Sequence, residues 1–400
     1  MHIDLNSCFA IIEQQANPLI RNKPVAIAAY DTPRGAIIAS SYEAKALGIK
    51  LGVNVRDARM LSKDVIVMMP DPEKYFDAHR RFKKILLNYT NEVVPKSVDE
   101  FVVDFSGSRA VQRGKSLQEV GYEIKQDIKD SLGEYVTVNV GIGTNRFLAK
   151  VAAGLHKPDG LDTITGETLR DTYSNLTLLD LPGINTRFQA RLNIAGVYTP
   201  LQFLDAPIDL LKKQVFKSIT GVYWFMRLRG HEIDAIDFGR KSFGQQYALG
   251  DKTADIQKLS QLLMKLCEKT GRRLRGGGYV AGGIHLWLNF ENRQFWAQGK
   301  KLKADICSTQ DIFLAAQRLL NTVDIPARVT NMGVTVYHLH PANPEQISLF
   351  ADSRLDTKSI ANASDIINNR YGEFTLVPAL MANMQDTILK RVAFGSIRDL

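Results

Sequence analysis

The chain has 400 residues, 45% hydrophobic and 23% charged, with a formal net charge of +9. This composition excludes a disordered chain, and the length exceeds one ordinary core, so three or more modules are expected. The positive balance suits a polyanionic partner, nucleic acid first, and equally suits surface lysine kept for solubility. Cys8, Cys267 and Cys307 are odd in number and far apart. They offer neither a disulfide ladder nor a CxxC metal motif, which points to a reducing cytoplasm. No secretory leader is expected, and no apolar run approaches the roughly 20 residues of a membrane helix.

In chain order, an apolar run starts at Met1, carries the single acid Asp4, and ends in a small polar turn closed by Phe9. A strand there would deliver a carboxylate to a sheet edge. Residues 24–29 and 35–40 read as two short strands around the turn Asp31–Gly35, and Ser41–Gly48 as one or two capped helical turns. Val65–Met69 reads as a strand stopped by Pro70. Glu73 to about Asn91 carries Tyr75, Phe76, Phe82, Ile85, Leu86 and Tyr89 at helical spacing, which reads as core. A hairpin-like pair of strands follows over Val93–Phe105, holding the acids Asp99 and Glu100. Leu117–Leu132 is a helix, Val136–Ile142 a strand and Phe147–Leu155 a third helix. The order strand–helix–strand–strand–helix–strand predicts a ferredoxin-like α+β fold interrupted at residues 12–70. Three carboxylates from two strands, beside phosphate-binding groups, would suit two-metal phosphoryl transfer.

Further on, Pro182-Gly183-Ile184 lies between two short helices, and Gly196 turns into another from Thr199. This is a helix–hairpin–helix signal, whose backbone N–H groups bind phosphate without reading a base, or else a plain packing corner. Residues 231–241 read as a linker. Helices over Ile256–Leu274 and Thr309–Leu320, with strands over Tyr279–Leu288 and Val329–His338, predict a separate α/β domain at 242–340. Its basic front includes Arg240, Arg272, Arg273 and Arg275. A solvated face explains part of that run, and phosphate contact the rest.

At Asp4, at Ser97–Glu100 and at Tyr42–Lys45 together, the sequence resembles the Y-family (DinB/UmuC-like) translesion DNA polymerases. The resemblance covers residues 1 to about 340. It implies an α+β multidomain protein: a palm (1–11 and 71–160), fingers (12–70), a thumb (161–230), a linker (231–241), a little finger (242–340) and a tail (341–400). It further implies that Asp4, Asp99, Glu100 and the Leu5 carbonyl hold two Mg²⁺ ions, with Mn²⁺ able to substitute. Phe9 matches the steric gate that excludes a ribose 2′-hydroxyl, although the residue on its own favours a core reading. Tyr42, Lys45 and Lys157 match the triphosphate clamp, with Lys where the family usually has Arg at 45. Asn6 stands where DinB-like members have Asp and UmuC-like members Asn, and Ala39 where many have a hydroxyl.

In the tail, Gln346-Ile347-Ser348-Leu349-Phe350 resembles the bacterial sliding-clamp-binding peptide, and residues 359–377 continue beyond it in a more UmuC-like way. The implied protein is a low-fidelity, template-directed DNA polymerase of translesion synthesis, DNA repair and the SOS response. Its partners would be primer–template DNA, a deoxynucleotide and the sliding clamp, with room for a UmuD-like accessory subunit. It would be cytoplasmic, nucleoid-associated when on DNA. Two rival readings are a catalytically inactive scaffold of the same family and a nucleotide cyclase-type palm.

Overall fold

The computed structural model describes residues 1–108, 114–235, 239–342 and 357–382, with Met384 and Thr387. Gln346–Phe350 lie outside the described residues. Met1–Ile236 and Asp237–Lys390 form two compact units.

In the first unit, β1 (His2–Leu5) leads into α1 (Cys8–Ala16). Then come β2 (Val25–Ala28), β3 (Ile37–Ser40), α2 (Tyr42–Ala46), α3 (Val55–Leu61), β4 (Ile66–Met68) and α4 (Pro72–Leu86). After them run β5 (Val93–Pro95), β6 (Glu100–Val103), α5 (Leu117–Leu132), β7 (Val138–Gly143), α6 (Arg146–Leu155) and β8 (Leu161–Ile164). The main sheet has the order β5-β6-β1-β7-β8. Without β8, which adds parallel to β7, it is the ferredoxin-like arrangement expected. Helix α5 begins in a reciprocal Ser116–Glu119 capping box and buries Val120, Ile124 and Ile128, spaced four apart.

The central strand is β1, antiparallel to β6 and β7 on either side. The insertion forms its own three-stranded sheet, β3-β2-β4. Alternation along β2 splits its side chains between two cores. Val25 and Ile27 join the main cluster, while Ala26 and Ala28 pack with Ile37, Ala44, Ile49, Val55 and Ala58. Helix α3 was not foreseen.

Helices α7 (Leu169–Ser174), α8 (Thr186–Ile194), α9 (Pro200–Asp205) and α10 (Thr220–Leu228) enclose Phe203, Phe216 and Trp224. Gly183 takes φ +96°, the left-handed turn the hairpin needs. Ile184 departs from expectation. Its side chain is core, and its N–H already donates to the Leu181 carbonyl at 3.0 Å, so neither faces a phosphate.

The second unit contains β9 (Ser242–Thr253), α11 (Ile256–Gly276), β10 (Tyr279–Phe290), β11 (Phe295–Ile306), α12 (Thr309–Leu320), β12 (Val329–Pro341) and α13 (Thr357–Tyr371). Its antiparallel sheet runs β11-β10-β12-β9. The edge strands β9 and β11 escaped the sequence reading because neither carries a buried apolar stripe: β9 buries only Phe243 and Leu249, and β11 buries no residue.

The second unit also corrects the arginine assignments. Arg275 forks onto Asp365 of α13 at 2.7 and 2.9 Å. Arg272 pairs with Asp365 and with Glu373, 3.4 Å away. Arg273 donates to the Gly244 carbonyl at 3.0 Å, and Arg240 lies over the Phe243 ring. Arg272 and Arg275 therefore fasten the C-terminal helix rather than stand open to phosphate, and the unit continues past residue 340. Breaking a buried ion pair from one side costs about 3–5 kcal/mol. Asp365→Ala should lower the melting temperature by several degrees in calorimetry, while Arg240→Ala should leave it nearly unchanged.

Candidate active site

The site is built where β1 meets β6 and β7. Asp4 lies directly across from Glu100 on one side and from Asn139 on the other. The Leu5 N–H donates to the Asp99 carbonyl at 2.9 Å, so the acidic pair is fixed to β1 by backbone. The sheet thus brings Asp4, Asp99 and Glu100 to neighbouring positions.

Each carboxylate has a partner. The Lys157 ammonium donates to Asp4 Oδ2. Lys150, on α6, donates to both oxygens of Glu100 at 2.9 and 2.8 Å. The Ser97 hydroxyl donates to Asp99 Oδ1 at 2.5 Å. Among the described residues no three His, Cys, Asp or Glu side chains are grouped as a ready metal cage. The three acids are neighbours, each holding a partner of its own.

Electrostatics records their closeness. Burial, with Asp4 and Glu100 adding to it, pushes Asp99 up to about 6. Burial also raises Asp4, against the pull of Lys157. Behind Glu100, burial drives His2 down to about 3, so the ring is neutral. His2 Nε2 lies 4.0 Å from Glu100, and neither ring nitrogen has a hydrogen-bond partner among the described residues. Hard carboxylate oxygens with excess negative charge are the donor set a divalent ion of the Mg²⁺ class requires.

The groups expected to hold phosphate come from the insertion and from the turn after α6. Lys45 donates to Ser7 Oγ at 2.7 Å and lies 4.6 Å from the centre of the Tyr42 ring. Burial, then Lys157, lowers the Lys45 ammonium, and burial, then Asp4, raises the Tyr42 phenol. Ser7 holds a left-handed φ of 50° that folds the turn back toward Lys45. Ser40, the hydroxyl beside Ala39, is buried and its Oγ finds no partner among the described residues.

Phe9 is not at a surface. It is fully buried in α1, with its ring stacked on Tyr75 at 4.3 Å. The Tyr75 hydroxyl donates to Glu13 at 3.0 Å, and Lys74 caps the same buried carboxylate at 2.6 Å. In this state Phe9 offers no area to a sugar.

Asn6 has a role the sequence reading missed. Its Nδ2 donates to Asn139 Oδ1 at 2.8 Å, and its Oδ1 accepts the Asp159 N–H at 2.9 Å. Asn139 in turn donates to the His156 carbonyl at 2.9 Å. Two buried amides thus hold the turn that presents Lys157, and Lys129 steadies it through Asp159 at 2.9 Å. An aspartate at position 6 could not donate to Asn139. Nothing in the spacing of Asn6 and Asn139 signals the pair; only the β1–β7 register does.

Fold and site together define a palm-type nucleotidyltransferase. Residues 3–154 match the impB/mucB/samB family, and residues 240–349 match the impB/mucB/samB family C-terminal domain. DNA polymerase IV of Moorella thermoacetica is 31% identical over 385 residues, covering 92% of each chain. DNA polymerase IV of Pelotomaculum thermopropionicum is 29% identical over 387 residues, covering 94% of each. Among solved structures, a Y-family DNA polymerase chimera of Dbh and Dpo4 superposes with a TM-score of 0.73 at 24% identity, covering 84% of this chain and 98% of that one. The chain belongs to the impB/mucB/samB family and is a DinB-like Y-family DNA polymerase.

Replacing Asn6 with Asp sets two acceptors against each other in a buried site, which costs about 1–3 kcal/mol. Asn6→Asp should lower the melting temperature. It should also raise KM for the nucleotide more than it lowers kcat, because the Lys157 turn loosens. Steady-state kinetics with thermal melts check both.

Proposed function

We propose that the chain adds deoxynucleotides to a primer 3′ end by two-metal phosphoryl transfer, with low stringency, in translesion synthesis. The observation that carries this reading is the juxtaposition of Asp4 and Glu100 across two paired strands, with Asp99 tied to the same backbone. Asp4, Asp99, Glu100 and the Leu5 carbonyl would hold two Mg²⁺ ions, or Mn²⁺ in their place. When bound, such ions lower the pKa of the primer hydroxyl and neutralise the departing pyrophosphate. Tyr42, Lys45 and Lys157 would hold the triphosphate. A lysine at 45 supplies a point charge where arginine would supply a fork, so grip there is weaker and less directional.

Low stringency follows from the insertion. Its helices over Tyr42–Ala46 and Val55–Leu61 have only 5 and 7 residues, packed on an alanine-rich core. Short elements with little apolar area exert weak shape selection on a nascent pair, and discrimination is a difference of binding energies. The described parts of residues 161–230 and 242–340 would grip duplex DNA as thumb and little finger, with Pro182 and Gly183 at the hairpin turn. Gln346–Phe350 would bind the sliding clamp, and a UmuD-like subunit is a further candidate partner. No helix among the described residues is long and apolar enough to cross a membrane. Work on DNA in the cytoplasm, at the nucleoid, fits this reading.

The inactive-scaffold and cyclase readings predict no primer extension. Wild-type protein should extend a primer opposite template in Mg²⁺. Asp99→Ala with Glu100→Ala should lose at least 1000-fold in rate, on the order of a removed electrostatic catalyst. Absence of wild-type extension would overturn the reading. In the same assay Phe9→Ala should raise ribonucleotide use; if only stability falls, Phe9 is core alone.

A further inference from the structure

Two of the three acids at the site carry their own ammonium group. Lys157 sits on Asp4, and Lys150 sits on both oxygens of Glu100 at 2.8 and 2.9 Å. Asp99, the third, holds only a hydroxyl from Ser97 among these contacts. Asp4 and Glu100 face each other in register, so without such cations their charges would repel across a short gap.

The two lysines are mounted alike. Their backbones are fixed, Lys150 within α6 and Lys157 in the turn held by Asn6 and Asn139. Their side chains are partly exposed, 41% and 36%. A long side chain on a rigid base with one open side can leave one partner for another without moving the fold.

We propose that Lys150 and Lys157 are resident counter-cations of the site, which a divalent ion must displace from Glu100 and Asp4, and that displacement frees Lys157 for the nucleotide triphosphate. The inference rests on the function proposed above and adds an order to it. One ammonium cannot neutralise Asp4 and a phosphate at once. Occupation of Asp4 by a divalent cation therefore favours Lys157 on the triphosphate, and triphosphate on Lys157 opens Asp4 to the cation. By linkage each ligand tightens the other by the same factor. Lys150 has a different part. It is a positioning residue that keeps Glu100 in place beside β1 until the ion takes over.

The test is Mn²⁺ binding to the full chain without DNA, read from the free-Mn²⁺ electron paramagnetic resonance signal. Removing a competing ammonium should tighten Mn²⁺ binding about fivefold or more, the range of ordinary site coupling. Lys150→Met is the first variant, and Lys150→Gln, which keeps a polar end, guards against misfolding. A lysine that is only structural would leave affinity unchanged or weaken it, and either result overturns the Lys150 half. For Lys157, binding of dATP with and without Mn²⁺ is compared by equilibrium dialysis. The wild type should show mutual tightening, part of it from Mn²⁺ held directly by the triphosphate, and Lys157→Met should show a clearly smaller coupling. Coupling undiminished in Lys157→Met overturns that half. On wild-type protein, the ¹⁵Nζ resonances of both lysines should shift when Mg²⁺ saturates the site, and unshifted resonances overturn the displacement itself. If the wild type extends primers but these affinities do not move, only the counter-cation inference falls. If it does not extend primers, the proposed function falls instead.

Discussion

Like charge in a confined place is the constraint around which the first unit is built. Three neighbouring carboxylates, mostly removed from water, cannot all be ionised without cations beside them. Asp99 rises to about 6, from burial first and then from the charges of Asp4 and Glu100. Lys150 and Lys157 lie against the other two acids. Placing Asp4 on the central strand makes the problem sharper, because both neighbouring strands exclude water from its flanks. It also makes the site rigid, because β1 is hydrogen-bonded to a strand on both sides.

The scaffold distributes the supporting parts by register. Strand β6 brings Asp99 and Glu100 to one side of β1. Strand β7 brings Asn139 to the other, and Asn139 with Asn6 holds the Lys157 turn. Helix α1 follows the polar turn at once and seats Phe9 on Tyr75. The three acids, their charge partners and the apolar floor therefore come from elements that meet because the ferredoxin-like order places β1 between β6 and β7. The insertion contributes Tyr42 and Lys45 on a short helix whose Ser41 cap accepts the Ala44 N–H at 3.3 Å.

Much of this was legible in the chain. Alternation and helical spacing gave the palm order, because strands and helices buried on one face write their period into the sequence. The acids were legible as a set because they lie at strand starts in a pattern shared with a known family. What failed was whatever depends on a distant partner. Arg272 and Arg275 look like a phosphate-binding run until Asp365, some 90 residues on, is seen to take them. Ile184 looks like part of a DNA-facing hairpin until its side chain is found in the helical core. Strands β9 and β11 hide because a sheet edge needs no apolar stripe. Asn6 reads as a departure from a family acid, whereas the structure makes it one half of an amide pair. That Asp4 and Glu100 meet lysines and Asp99 a serine hydroxyl has no signature in sequence at all.

The most direct measurement is anomalous diffraction from crystals grown with primer–template, an unreactive deoxynucleotide triphosphate and Mn²⁺. The account predicts anomalous peaks in contact with the carboxylate oxygens of Asp4, Asp99 and Glu100, with the Lys157 ammonium moved onto phosphate. Density for bound nucleotide with no anomalous peak among those three side chains would contradict it.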